Sequence, residues 1–76
     1  MNKSRREAIT KLAEQAQELI SEVESLRDEE QEYLDNMPES LQGSDKATAA
    51  EDAVSSLESA ISSLEETVSS LEEAGQ

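Results

Sequence analysis

Hydrophobic residues recur every seven positions through the last third of the chain, in three near-identical heptads: AVSSLES (Ala53–Ser59), AISSLEE (Ala60–Glu66) and TVSSLEE (Thr67–Glu73). Val54, Ile61 and Val68 occupy one position of the repeat, a, and Leu57, Leu64 and Leu71 the position three residues later, d. That 3–4 spacing is the pattern of a helix whose apolar stripe packs along another helix.

The first half keeps the same spacing. Ile9, Ala16, Val23, Glu30 and Met37 fall at a, and Leu12, Leu19, Leu26 and Tyr33 at d. Neither Gly nor Pro interrupts residues 4–36, so a helix of roughly 45 Å is expected there at about 1.5 Å per residue. Asn36-Met37-Pro38 ends it, because proline lacks the N–H needed to continue the ladder and pushes its predecessor out of helical geometry. Residues 37–44 form the predicted turn, in which Gly43 breaks the chain again. Ser44 followed by Asp45 is an N-cap with an acid in the first turn. A second helix over about 45–74 then ends at Ala74-Gly75-Gln76.

So short a connection predicts one all-α domain over residues 1–76, an antiparallel helical hairpin closed by a coiled-coil seam. Charge points the same way. Lys3, Arg5, Arg6 and Lys11 begin helix 1, and Glu65, Glu66, Glu72 and Glu73 end helix 2. Each group has the wrong sign for its own helix dipole, and antiparallel packing sets them side by side. The expected hairpin core is Leu12, Leu19, Val23, Leu26 and Tyr33 against Val54, Leu57, Ile61, Leu64, Val68 and Leu71, with Leu26 opposite Leu57, Val23 opposite Ile61, Leu19 opposite Leu64 and Leu12 opposite Leu71.

The flanks widen the apolar face. Ala13, Ile20 and Leu34 stand at e of helix 1, and Ala53, Ala60 and Thr67 at g of helix 2. A hairpin alone would leave this strip wet, so it is the expected dimer interface of a homodimeric four-helix bundle. Size agrees. Seventy-six residues with 34% hydrophobic content and one aromatic make a thin core, and chains this short commonly need disulfides, a metal or self-association. With no Cys and no His, self-association is the expected route, and no cofactor, metal site or catalytic residue is predicted. No apolar run is long enough to span a membrane. The basic start MNKSRR is followed by no apolar segment, so no signal peptide is read, and a cytoplasmic location is expected.

Nineteen acids oppose six bases, for a net charge of −13. Residues 1–11 carry Lys3, Arg5, Arg6 and Lys11 against Glu7, net +3, whereas residues 12–76 carry eighteen acids against Arg27 and Lys46, net −16. Such a surface repels nucleic acid and anionic membranes and attracts basic proteins. The candidate partner-binding face is Glu24, Asp28, Glu32 and Asp35 on helix 1 with Glu51, Asp52 and Glu58 on helix 2. Its bland reading is a solvated face that keeps a small protein soluble. Its sharper reading is mimicry of nucleic acid: roughly 45 Å of duplex carries about 26 charges, and two copies of this chain carry 2 × −13 = −26.

Two further features carry alternatives. Glu30 interrupts the a row, either as a register-setting residue that snorkels or pairs with Arg27, or as a buried functional carboxylate. Ser55, Ser56, Ser62, Ser63, Ser69 and Ser70 form an uncharged stripe that costs about 2–3 kcal/mol of helix propensity relative to alanine; it is either a tolerated repeat or a docking strip.

The basic start, the run LRDEEQEYLDNMPESLQGSDK through the turn and the acidic leucine heptads together resemble small helical proteins of unknown function encoded by bacteriophages and prophages. Asn36-Met37-Pro38-Glu39-Ser40-Leu41-Gln42 is the distinctive part. The resemblance implies no activity; it implies an accessory phage product, a group that includes inhibitors of host defence. The expected function is therefore a non-enzymatic acidic module that occupies a basic, nucleic-acid-binding site on a host protein in the bacterial cytoplasm. The alternative is a structural coiled-coil assembly or scaffold subunit whose acids serve solubility only.

Overall fold

The computed structural model describes residues Met1–Gln76 and is all-helical: α1 (Lys3–Asp35), a 3₁₀ turn (Glu39–Leu41) and α2 (Asp45–Ala74). The two helices pack along each other as a hairpin, a rod of 60 × 14 × 12 Å.

Each helix begins on a side-chain cap. Asn2 Oδ1 accepts the backbone N–H of Arg5 at 2.8 Å, and Ser44 Oγ accepts that of Ala47 at 3.3 Å. Both caps satisfy donors that the first helical turn leaves without a partner. Between the helices, Gln42 closes the turn by donating from Nε2 to the carbonyls of Met37 (3.2 Å) and Leu34 (3.5 Å). Gly43 then takes a positive φ of 82°. Its N–Cα bond turns the chain into the left-handed region that glycine enters without a Cβ clash.

Helix 2 uses the stripe its heptads predict. Val54, Ile61 and Val68 are buried, Leu57, Leu64 and Leu71 are half-buried beside them, and Ala47 and Ala50 extend the row to the turn. The central cluster is Ala16, Ile20, Ile61 and Val68, with Val23 and Leu64 packed against it.

Helix 1 keeps the expected a row but pairs it with e instead of d, which turns its packed face by about 50°. Its packed row is Ile9, Ala13, Ala16, Ile20, Val23, Arg27, Glu30, Leu34 and Met37, each buried or half-buried. Leu12, Leu19, Leu26 and Tyr33, expected in the core, are 49–54% exposed. Ala13 and Ile20, expected at a dimer interface, are instead buried inside the hairpin, and Leu34 is half-buried in the same row. The physical reason is that a–d and a–e rows are both 3–4 repeats, so periodicity fits either. The a–e row brings alanines 13 and 16 to the seam. Small side chains at a contact let helix axes approach towards the short end of the usual 8–10 Å.

Candidate functional site

The two flanks of the seam differ in chemistry, and one groove fixes which side is which. At the open end, Thr10 and Gln17 of α1, Glu72 of α2 and the terminal Gln76 line a groove of about 440 Å³ over a floor that includes Ala13 and Val68. The Thr10 side of α1 and the Glu72 side of α2 therefore lie together. Stepping by sevens towards the turn, this flank continues through Glu24 and Gln31 on α1, and through Glu65, Glu58 and Glu51 on α2. Asp28 and Asp35 come next around α1, whereas Glu32 and Asp52 point directly away from the seam.

Five of the seven candidate acids, Glu24, Asp28, Asp35, Glu51 and Glu58, fall on this flank of the turn-proximal half, while Glu32 and Asp52 stand on the outer backs of α1 and α2, and Glu22 and Glu29 lie on the opposite edge of α1. Of the seven, six are exposed and Glu24 is half-buried. Few cations neutralise them. The chain forms two ion pairs, Lys3–Glu7 at 4.0 Å and Arg27–Asp28 at 2.9 Å. Asp35 also accepts a hydrogen bond from Gln31 Nε2 at 2.9 Å. The remaining carboxylates of this face make no ion pair or side-chain hydrogen bond within the chain, which leaves them free for a partner's guanidinium or ammonium groups.

Glu30 is half-buried in the seam row without an Arg27 bridge, because the Arg27 guanidinium turns to its neighbour Asp28 instead. Of the two register-setting forms expected of Glu30, snorkelling or pairing with Arg27, the pairing is not formed. The expected attraction between the basic start of α1 and the acidic end of α2 takes no direct ion-pair form, since both ion pairs lie within α1. The two ends do meet, and Gly75 lines the same surface as Lys3, Arg6 and Lys11.

The opposite flank carries the residues left outside the seam: Leu12, Leu19, Leu26 and Tyr33 on α1, edged by Glu22 and Glu29, and Ala53, Ala60, Thr67 and Ala74 on α2. Of the expected dimer-interface residues, Ala60 and Thr67 are exposed here and Ala53 is half-buried. Sequence reasoning missed the leucine row as a surface feature because leucine at d is the strongest single indication of a core. The stripe Ser55, Ser56, Ser62, Ser63, Ser69 and Ser70 is exposed on the outer face of α2. No group of three or more His, Cys, Asp or Glu is placed to hold a metal ion, and no helix is long and apolar enough to cross a membrane.

No protein-family model, curated protein or solved structure matches the chain.

Proposed function

We propose that this chain is a non-enzymatic, acidic protein-binding module of the phage-encoded inhibitor type that its sequence resembles. Its carboxylate face occupies a basic, nucleic-acid-binding site on a host protein in the bacterial cytoplasm, and it does not bind nucleic acid itself. The observation that supports this reading is the density of Glu24, Asp28, Glu32, Asp35, Glu51, Asp52 and Glu58 over one flank and the outer backs of the turn-proximal half, where residues 22–58 supply only Arg27 and Lys46 as bases. The seven span α1 from 24 to 35 and α2 from 51 to 58, a patch roughly 17 Å long at about 1.5 Å per residue. Duplex DNA presents about ten phosphate charges over that length, so the patch is of comparable density.

A second reading, a structural assembly subunit, is favoured by a different observation, the exposed row of Leu12, Leu19, Leu26 and Tyr33. The two readings use opposite sides of the rod.

Capture of host proteins from bacterial lysate on the immobilised chain tests the first reading. A bound basic protein should be displaced by duplex DNA and should be lost between 50 and 200 mM salt, by about 10³-fold if six charge contacts behave like phosphates. Reversal of Glu24, Asp28, Glu32 and Asp35 to lysine should abolish capture, while neutralising Glu65, Glu66, Glu72 and Glu73 should leave most of it. Equal losses from both sets would reduce the interaction to generic electrostatics. No loss from either would refute the acidic-face reading.

A further inference from the structure

We propose that the leucine side of the hairpin is covered by a second copy of this chain, inverted end for end, so that α1 lies antiparallel to α1 of the second copy. This does not depend on the partner-binding reading, which concerns the other flank.

The face is large and carries a continuous apolar row, edged by the exposed Glu22 and Glu29. Leu12 to Tyr33 spans about 32 Å of helix, and two helices side by side are roughly 20 Å wide. That gives on the order of 600 Å² per copy, before side-chain relief is added, against about 800 Å² per partner in a standard stable interface. A row of large apolar side chains exposed along a face of that size marks an interaction surface. Leu12, Leu19, Leu26 and Tyr33 are each about half exposed in the single chain, and Ala60 and Thr67 beside them leave room for close approach.

Three features select a second copy in inverted orientation. The first is charge. Residues 22–58, the turn half, carry twelve acids against Arg27 and Lys46, net −10, and the remaining residues carry seven acids against Lys3, Arg5, Arg6 and Lys11, net −3. Inversion sets −10 beside −3 at both ends, whereas a parallel pair sets −10 beside −10. The second is register. An axis midway between Leu19 and Leu26 brings Leu19 over Leu26 and Leu12 over Tyr33 of the second copy. On α2 the same row is centred between Ala60 and Thr67. Because Ile9 meets Gly75, that centre lies within about two residues, or roughly 3 Å, of the α1 axis. One two-fold axis therefore serves both rows, as an isologous interface requires. The third is Arg5, seven residues before Leu12 in the same row. Inversion carries it over position 40 of the second copy, in the turn that holds Glu39.

The test combines mass with orientation. The wild-type chain at tens of micromolar should sediment as a species of twice 8.3 kDa. Leu19→Glu should raise the dissociation constant by about 100-fold or more while the circular dichroism of the hairpin is retained. Leu26→Ala serves as the milder companion should the acidic variant lose helicity. The chain lacks cysteine, so a single Gln76→Cys site takes a spin label cleanly. Labels at position 76 of the two copies should lie near the full 60 Å length of the rod. A wild-type monomer would overturn the proposal, as would a dimer indifferent to both Leu19→Glu and Leu26→Ala. A label separation under about 25 Å, two helix diameters, would overturn the inverted arrangement.

Discussion

At the open end of the hairpin Ile9 closes over Gly75: a Cβ added at Gly75 would stand 3.3 Å from Ile9 Cγ2. This approach fixes the register of the whole rod, since each residue along α1 then meets a residue stepped back equally along α2. It also sets up an instructive contrast with Gly43, the other glycine.

Gly43→Ala meets nothing within 4 Å, yet its φ of +82° is costly for any side chain. Gly75→Ala is conformationally ordinary but short of room. The Gly43 change should cost about 1–2 kcal/mol. The Gly75 change should stay within about 0.5 kcal/mol, because Ile9 is only half-buried and can shift. Thermal melts followed by circular dichroism at 222 nm compare the two. An equal loss from both would mean that backbone conformation at Gly43 is not what shapes the turn.

Ser44→Ala removes the acceptor for the Ala47 N–H and should destabilise the hairpin by about 1 kcal/mol. Asn2→Ala removes the matching bond to Arg5 at an exposed end. It should fray only the first turn of α1, with a smaller fall in melting temperature. Amide hydrogen exchange at Ala47 and Arg5 reads the two effects separately.

Helix 2 and the hairpin topology were legible in the sequence because each position of its heptad holds one kind of residue. Val or Ile stands at a, Leu at d, serine at b and c, acid at e, so only one stripe is available. Helix 1 offers two. Leu12 neighbours Ala13, Leu19 neighbours Ile20 and Tyr33 neighbours Leu34, so a seam through either member of each pair keeps the 3–4 spacing. Choosing between them needs the closeness of the two backbones, a tertiary quantity that no single-helix pattern contains. The acidic residues were visible as a cluster for the same reason they are informative, their density. Which of them share a flank depends on the rotation of α1, which periodicity alone does not fix.

The rotation makes neighbouring residues respond differently. Ile20 is 7% exposed, so Ile20→Ala should cost about 2–5 kcal/mol and lower helicity at every protein concentration. Leu19→Ala should act mainly through association, and its effect should fade on dilution. Denaturant titrations at two concentrations a hundred-fold apart distinguish the cases. A concentration-independent loss for Leu19→Ala equal to that for Ile20→Ala would put both side chains in the hairpin core.

With nineteen acids, six bases and two ion pairs, the carboxylates repel one another at neutral pH. Salt screens that repulsion over a Debye length of about 10 Å at 0.1 M. The melting temperature should rise from low salt to 0.5 M sodium chloride. A fall would mean that attractive pairs outweigh the repulsion, and the picture of an unneutralised acidic side would fail.

The rotated seam is the claim on which both faces of the rod depend, and methyl nuclear Overhauser contacts measure it directly. Methyl-labelled chains diluted into an excess of unlabelled chain report contacts within one copy only. The Ile20 methyls should show cross-helix contacts to the Ile61, Leu64 and Val68 row, with Val23 joining them. Cross-helix contacts from the methyls of Leu12, Leu19 and Leu26 to that row, with none from Ile20, would restore the a–d seam and contradict the account.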